Sequence, residues 1–377
     1  MKIFKNSALL MIGLLLFSCT EDKAILLEDN IYSKPIPIVP VITNYTVGAI
    51  YTKFIRNPLT IETPSIGIYD GNSGDPITYE KHVIQAQTAG VDFFIFNLRS
   101  SNAIAQYNED KGFIDNLQTA SNANDMKFAF SYNFANMGLS IANTIENKGL
   151  VTKFIDDFKL MLPYFQKSNY MKINGKSVVY MNNSYNLFSN NNPALYLQLR
   201  NEMATLGVEL YLIGMQLEWT PTLKFFGDEV TGKDNRFEDC VDALTVTNYA
   251  NIELVFYDRL QYFHKYVDLA WTSYIDPKTG IEYNHKTTLA KYNIEFVPTI
   301  SPSYNPKINN ASSTAYAIAK NADWFKANCN IARRASGTSK LVLIDSFNNW
   351  NFNTQIESAT SYGDEYIKII RAEFKLN

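Results

Sequence analysis

The sequence predicts a single (β/α)8 barrel of the TIM type. Three observations lead there. After residue 45, apolar strand-like runs alternate with helical patterns to the end of the chain. Eight such runs can be counted, and most connections between them hold a helical period. No domain boundary, repeat or low-complexity tract interrupts the alternation. The 377 residues also exceed the roughly 250 that such a barrel needs. A doubly wound open sheet is the alternative arrangement of the same units.

In chain order, the expected strands are Val47–Phe54, Val91–Leu98, Lys127–Phe134, Ser177–Asn182, Glu209–Gln216, Ala243–Tyr249, Glu295–Ile300 and Leu341–Phe347. Each is a short, mainly apolar run, as strands covered on both faces are. The expected helices are Tyr79–Ala89, Lys111–Asn124, Leu150–Gln166, Pro193–Leu206, Ile252–Ser273, Ser313–Arg333 and Tyr362–Phe374. Only the fifth connection, 220–239, lacks a clear helical period.

The N-terminus has a different character. Lys2 and Lys5 precede an apolar run of ten, Ala8–Phe17, too short to span a bilayer. The run ends Leu16-Phe17-Ser18-Cys19, which resembles a bacterial lipobox. The resemblance implies cleavage before Cys19 and lipidation there; a plain signal peptide or a buried N-terminal helix is the plainer alternative. Glu21-Asp22 after the cysteine resemble a surface-export signal of Bacteroidetes lipoproteins. Residues 20–44 carry Pro35, Pro37 and Pro40 and no lasting period, as a tether does. The expected organisation is a signal peptide over 1–18, a lipidated cysteine and tether over 19–45, and the barrel over 46–377. The expected location is the outer membrane, lipid-anchored and facing the cell surface.

Composition narrows the partners. Hydrophobic residues make up 46%, enough for a large core. The formal net charge of −3 falls to about −5 once Lys2 and Lys5 leave with the signal peptide. With no basic stripe, nucleic acid is not an expected ligand. The 24 Tyr and 24 Phe, with frequent Asn, suit neutral polyhydroxyl ligands, and equally an ordinary polar surface. His82, His264 and His285 are scattered and no CxxC or HExxH occurs, so neither a metal nor another cofactor is expected. Cys240 and Cys329 are read as a possible disulfide or as two buried thiols. Gly227-x4-Gly232-Lys233-Asp234 lacks the Ser/Thr that completes a phosphate-binding loop and follows no convincing strand; it is read as a surface loop.

In such barrels the site is built at the C-terminal strand ends. Those ends carry Asn97 and Arg99, Tyr132 and Asn133, Asn182 and Asn183, Gln216 and Glu218, Asn248 and Tyr249, Ser301 and Tyr304, and Asn348, Asn349 and Trp350. Tyr69, Asp70 and Glu357 lie on adjacent loops. Glu218 is the clear carboxylate at a strand end and the one candidate catalytic group. The rest are amides, hydroxyls, aromatics and one guanidinium, a set suited to an oligosaccharide. Bland readings stand beside these. Trp350 is a sugar platform or a packed core aromatic, Asn248 and Tyr249 contact ligand or cap loops, and Arg99 binds an anion or pairs with a nearby acid.

The segment Leu341–Arg371 carries Ser346-Phe347-Asn348-x-Trp350, Thr354, Ile356-Glu357, Tyr362-Gly363 and Tyr366. It resembles the catalytic segment of glycoside hydrolase family 99, the endo-α-mannosidases, and of related polysaccharide-biosynthesis proteins. Pro64-x-x-Gly67-x-Tyr69, Ala89-Gly90-Val91-Asp92 and the Gly175-Lys176 turn extend the likeness over about residues 47–374. The resemblance implies a barrel, an oligosaccharide ligand such as α-mannan, and two catalytic glutamates at positions 349 and 352. Those positions hold Asn349 and Phe352. Glycoside hydrolysis normally needs two carboxyl groups flanking the bond, and general acid–base assistance contributes about 10²–10⁴-fold per group. Three functions follow as expectations. The first is a glycan-binding lipoprotein with little or no hydrolysis. The second is an active glycosidase using relocated carboxylates such as Glu218. The third is a subunit of an outer-membrane glycan-uptake complex with no sugar site.

Overall fold

The computed structural model describes residues 35–58, 60, 62–217, 221, 223, 236–246, 264, 267–268, 271–272, 274–275, 282–283, 289–314 and 317–376. Residues Ile38–Asn377 form one compact unit. Among the described residues, eight parallel strands, the seventh in two segments, make up its centre: β1 (Thr46–Tyr51), β2 (Phe93–Arg99), β3 (Lys127–Asn133), β4 (Lys176–Asn182), β5 (Leu210–Gln216), β6 (Ala243–Val246), β7 (Glu295–Phe296 and Thr299–Ile300) and β8 (Leu341–Ile344). Neighbours in sequence are neighbours in the sheet, and β1 also pairs with β8, Ala49 opposite Ile344. The ring closes through β7. Its first half pairs with β6, Glu295 opposite Ala243, and its second half with β8, Ile300 opposite Ile344. Pro298 divides the halves because it has no N–H for the ladder, but its carbonyl accepts from Leu343 N at 2.9 Å. The chain is a TIM-barrel-like (β/α)8 fold.

Burial on both faces explains the apolar runs. Phe93, Phe94, Ile95 and Phe96 in β2 and all four residues of β8 are buried. The interior is tight at Gly48, where a Cβ would fall 2.4 Å from Phe93 Cζ and 2.9 Å from Leu343 Cδ2; only glycine fits between β2 and β8 there.

The helices cover the outside: α1 (Pro76–Ala89), α2 (Ile104–Leu117), α3 (Val151–Leu160), α4 (Asn192–Thr205), α5 (Ala322–Ala335) and α6 (Glu365–Phe374). Asp75 caps α1 by accepting from the Ile77 and Thr78 N–H groups, with Pro76 in the first turn and Gly90 left-handed after the last. Two expected helices are displaced. The helix expected at Lys111–Asn124 begins at Ile104, because Asp110 turns inward with Tyr107, Phe113, Ile114 and Leu117, which a purely apolar period does not register. The helix expected at Ser313–Arg333 begins only at Ala322, where Asn321 caps the Trp324 N–H. Ahead of it, Ile318 and Tyr304 exchange backbone bonds. The expected helix Ile252–Ser273 and the end of strand six, 247–249, fall largely or wholly outside the described residues. Cys240 and Cys329 are free and buried, and burial raises both thiols above their ordinary pKa.

Candidate functional site

The loop after β8 is fixed before it presents anything. Phe347 N donates to Ile50 O at 2.8 Å. The Asn348 amide clasps the end of β1, accepting from Thr52 N at 2.7 Å and donating to Thr52 O at 3.2 Å. Asn351 makes the same kind of clasp further along, with Ile55 O and Asn57 N. On the far side Lys320 Nζ donates to the carbonyls of Asn353 and Gln355 at 3.0 and 3.1 Å. It also faces the Tyr362 and Tyr366 rings. Burial draws this ammonium down to about 7 against the pull of Glu62.

Trp350 and Glu357 lie behind the loop, in a buried hydrogen-bonded network. Trp350 is 1% exposed, and its Nε1 donates to Glu357 Oε2 at 2.8 Å. The Tyr69 hydroxyl donates to the same oxygen at 2.7 Å. Glu357 Oε1 is 3.0 Å from His82 Nε2, and His82 Nδ1 is 2.8 Å from the Tyr51 hydroxyl. With Nε2–H donated to Glu357, Nδ1 is left to accept from Tyr51. Burial first, then the Glu357 charge, pushes both Tyr51 and Tyr69 well above the ordinary phenol value. Every polar group here is used, so the network holds the loop.

The open space lies at the C-terminal mouth of the barrel, a cavity of ≈ 580 Å³. Asn97, Arg99, Asn182 and Asn349 line it, together with Tyr180, Lys53, Glu109, Asp110 and Asp345. One wall is a closed charge array. Arg99 grips Asp110 through Nε at 2.8 Å and NH2 at 2.6 Å, and Asp110 also accepts from the Arg99 N–H and the Asn97 amide. Arg99 NH2 reaches Glu109 at 2.9 Å, and Lys53 reaches it at 2.6 Å. These two cations hold the Glu109 carboxyl below its usual range. Asn182 and Asn349 make no side-chain hydrogen bond among the described residues and present free amides to the cavity.

Asp345 is the residue that sequence reading missed. It follows the apolar Leu341–Ile344, and there it reads as the end of a buried strand. The structure puts it in the cavity lining, partly buried and without a partner for its carboxyl among the described residues. Burial pushes that carboxyl up to about 6. The signal was present: a lone acid closing an apolar barrel strand stands where barrel sites are built.

The remaining candidates scatter. Asn133 sits beside Asn97, its amide 3.4 Å from Asn97 Oδ1. Tyr304 stacks on Phe352 with ring centroids 5.9 Å apart, and neither lines the cavity. Asp70 is exposed and accepts from the Asn72 N–H in a local turn. Trp350, Asn348 and Tyr69 lie outside the lining. Cys19, Glu218, Asn248 and Tyr249 lie outside the described residues. Among the described residues no group of three or more His, Cys, Asp or Glu is placed to hold a metal ion, and no helix is long and apolar enough to cross a membrane.

A barrel with a polar mouth is shared by many chemistries, so comparison with other proteins decides the family. The family model described as Glycosyltransferase WbsX matches residues 115–370. The chain belongs to the WbsX family. A solved structure named as a glycoside hydrolase-like protein is 33% identical to this WbsX-family chain, covers 93% of it and 99% of its own length, and superposes with a TM-score of 0.78. The GH99 endo-α-mannosidase from Bacteroides thetaiotaomicron, solved in complex with bis-tris propane, shares the fold at 16% identity. It covers 88% of this chain and 96% of its own, with a TM-score of 0.57. No curated protein matches the chain.

Proposed function

We propose that this WbsX-family protein binds an oligosaccharide in the barrel-mouth cavity and hydrolyses it little, while held to the outer membrane by a lipid on Cys19. The observation that carries the reading is the cavity itself. Its volume suits a ligand of one to a few sugar units, and its lining offers amides to hydroxyl groups. The glycoside hydrolase-like relative and the endo-α-mannosidase fold support a glycan ligand, with α-mannan as the first to try. Of the two positions where the family resemblance expects glutamates, Asn349 faces the cavity with an amide and Phe352 packs on Tyr304 away from it. Neither can give or take a proton near neutral pH.

The test is on the wild-type soluble domain from Lys23 onward. It is expected to bind at least one glycan of an array, with α-mannan oligosaccharides included, and to release no reducing ends over hours. Turnover abolished by Glu218→Gln or Asp345→Asn would replace this reading with an active hydrolase. A folded domain that binds no glycan would leave the role of a non-sugar-binding subunit in a glycan-uptake complex. The anchor is tested separately. Cys19→Ala is expected to abolish labelled-lipid incorporation and release the domain from the membrane fraction, and unchanged fractionation and labelling would refute it.

A further inference from the structure

Resting on the glycan-binding reading, we infer that the cavity selects a sugar unit carrying a free amino group, with Asp345 as its counter-charge. The charges of the lining pair off with one exception. Lys53 is matched by Glu109 at 2.6 Å, and Arg99 by Asp110 at 2.6 Å and Glu109 at 2.9 Å. Among the described residues, the Asp345 carboxyl alone of the charged lining groups has no hydrogen bond or ion pair. The same lining also offers neutral groups, including the Asn182 and Asn349 amides and Tyr180, which the Asp345 charge reaches.

Asp345 is also set apart from the charge array along the strands. Asp345 follows Ile344, which is level with Ala49, and Ala49 is level with Phe94 in β2. Arg99 lies five residues beyond Phe94, so in strand register the array stands about four residues, roughly 13 Å of strand length, beyond Asp345. One part of the lining is thus a neutralised charge array, and another is a carboxylate with no partner among the described residues. Burial raises that carboxyl to about 6, which still leaves it mostly ionised at neutral pH. An ionised group partly removed from water gains most from a cation, less from a hydroxyl, and is repelled by an anion. The ranking expected for the ligand is therefore ammonium, then hydroxyl, then carboxylate or sulfate. A free 2-amino sugar presents its ammonium where the parent sugar has a hydroxyl of nearly the same size.

The experiment compares matched sugars at pH 7 on the wild-type soluble domain. The pairs are glucosamine with glucose, mannosamine with mannose and galactosamine with galactose, as monosaccharides and as oligosaccharides, with a uronic-acid oligosaccharide as the anionic member. Affinities are read by calorimetry or by NMR shift titration. At least one amine is expected to bind about tenfold tighter than its hydroxyl partner, and the uronic acid more weakly than either. Asp345→Asn, of nearly identical shape, is expected to bring amine and hydroxyl to parity with an unchanged melting temperature. If no amine outbinds its partner on the wild type, the inference is overturned without recourse to any variant. An amine preference that persists in Asp345→Asn also overturns it. In either case, binding of any neutral glycan leaves the broader reading standing, whereas a folded domain that binds no sugar at all sinks both.

Discussion

Replacing Trp350 with alanine is expected to lower folding stability by about 3–5 kcal/mol, as read from the denaturant midpoint. The size follows from two losses. Trp350 packs with Phe54, Ala359, Tyr69 and Tyr362 in a satellite core, and its removal leaves a cavity the fixed loop cannot close. Its indole N–H is also one of the donors that satisfy Glu357, a carboxylate buried completely. Trp350→Phe restores most of the packing and none of the hydrogen bond, so it is expected to cost about 1–3 kcal/mol. Because Trp350 stands behind the loop, any loss of glycan affinity should track the loss of folded protein. A Trp350→Ala domain that melts like the wild type yet binds glycan tenfold more weakly would make Trp350 a ligand platform after all.

The same tryptophan shows what the sequence can and cannot reveal. The barrel is readable because strands covered on both faces leave continuous apolar runs, as at Phe93–Phe96 and Leu341–Ile344. The mouth is readable wherever a polar residue ends such a run, and Asn97, Arg99, Asn182 and Asn349 do line the cavity. Direction is not readable. Asn348, Asn349 and Trp350 are consecutive, yet only Asn349 faces the cavity, because the two neighbours are turned back onto β1 and onto Glu357. Those partners lie 296 residues away at Thr52 and seven away at Glu357, and no local pattern announces them. Asp110 misleads in the opposite sense. A charged residue on the inner face of α2 is stable only because Arg99 meets it there, so periodicity alone starts that helix at Lys111 rather than Ile104. Asp345 escapes notice because it adjoins the most apolar strand of the chain.

The Arg99–Asp110 pair should respond asymmetrically to the loss of either partner. The Asp110 side chain is 4% exposed and the Arg99 side chain 28%. Arg99→Met leaves a nearly buried carboxylate with only the position-99 N–H and the Asn97 amide as donors. That is expected to cost about 3 kcal/mol, the lower end of what orphaning a buried charge costs. Asp110→Asn leaves a guanidinium that still reaches Glu109 and solvent, so about 1–2 kcal/mol is expected. The double variant Arg99→Met with Asp110→Leu removes both charges together and fills the space with apolar atoms. Replacing a buried pair outright is often neutral, so the double variant should be more stable than Arg99→Met alone by at least about 1 kcal/mol. Urea unfolding of the wild type, the single variants Arg99→Met, Asp110→Asn and Asp110→Leu, and the double variant in one buffer makes the comparison. Additive losses would mean that the two groups do not depend on one another, and the cavity wall would then owe its shape to the packing of α2 alone.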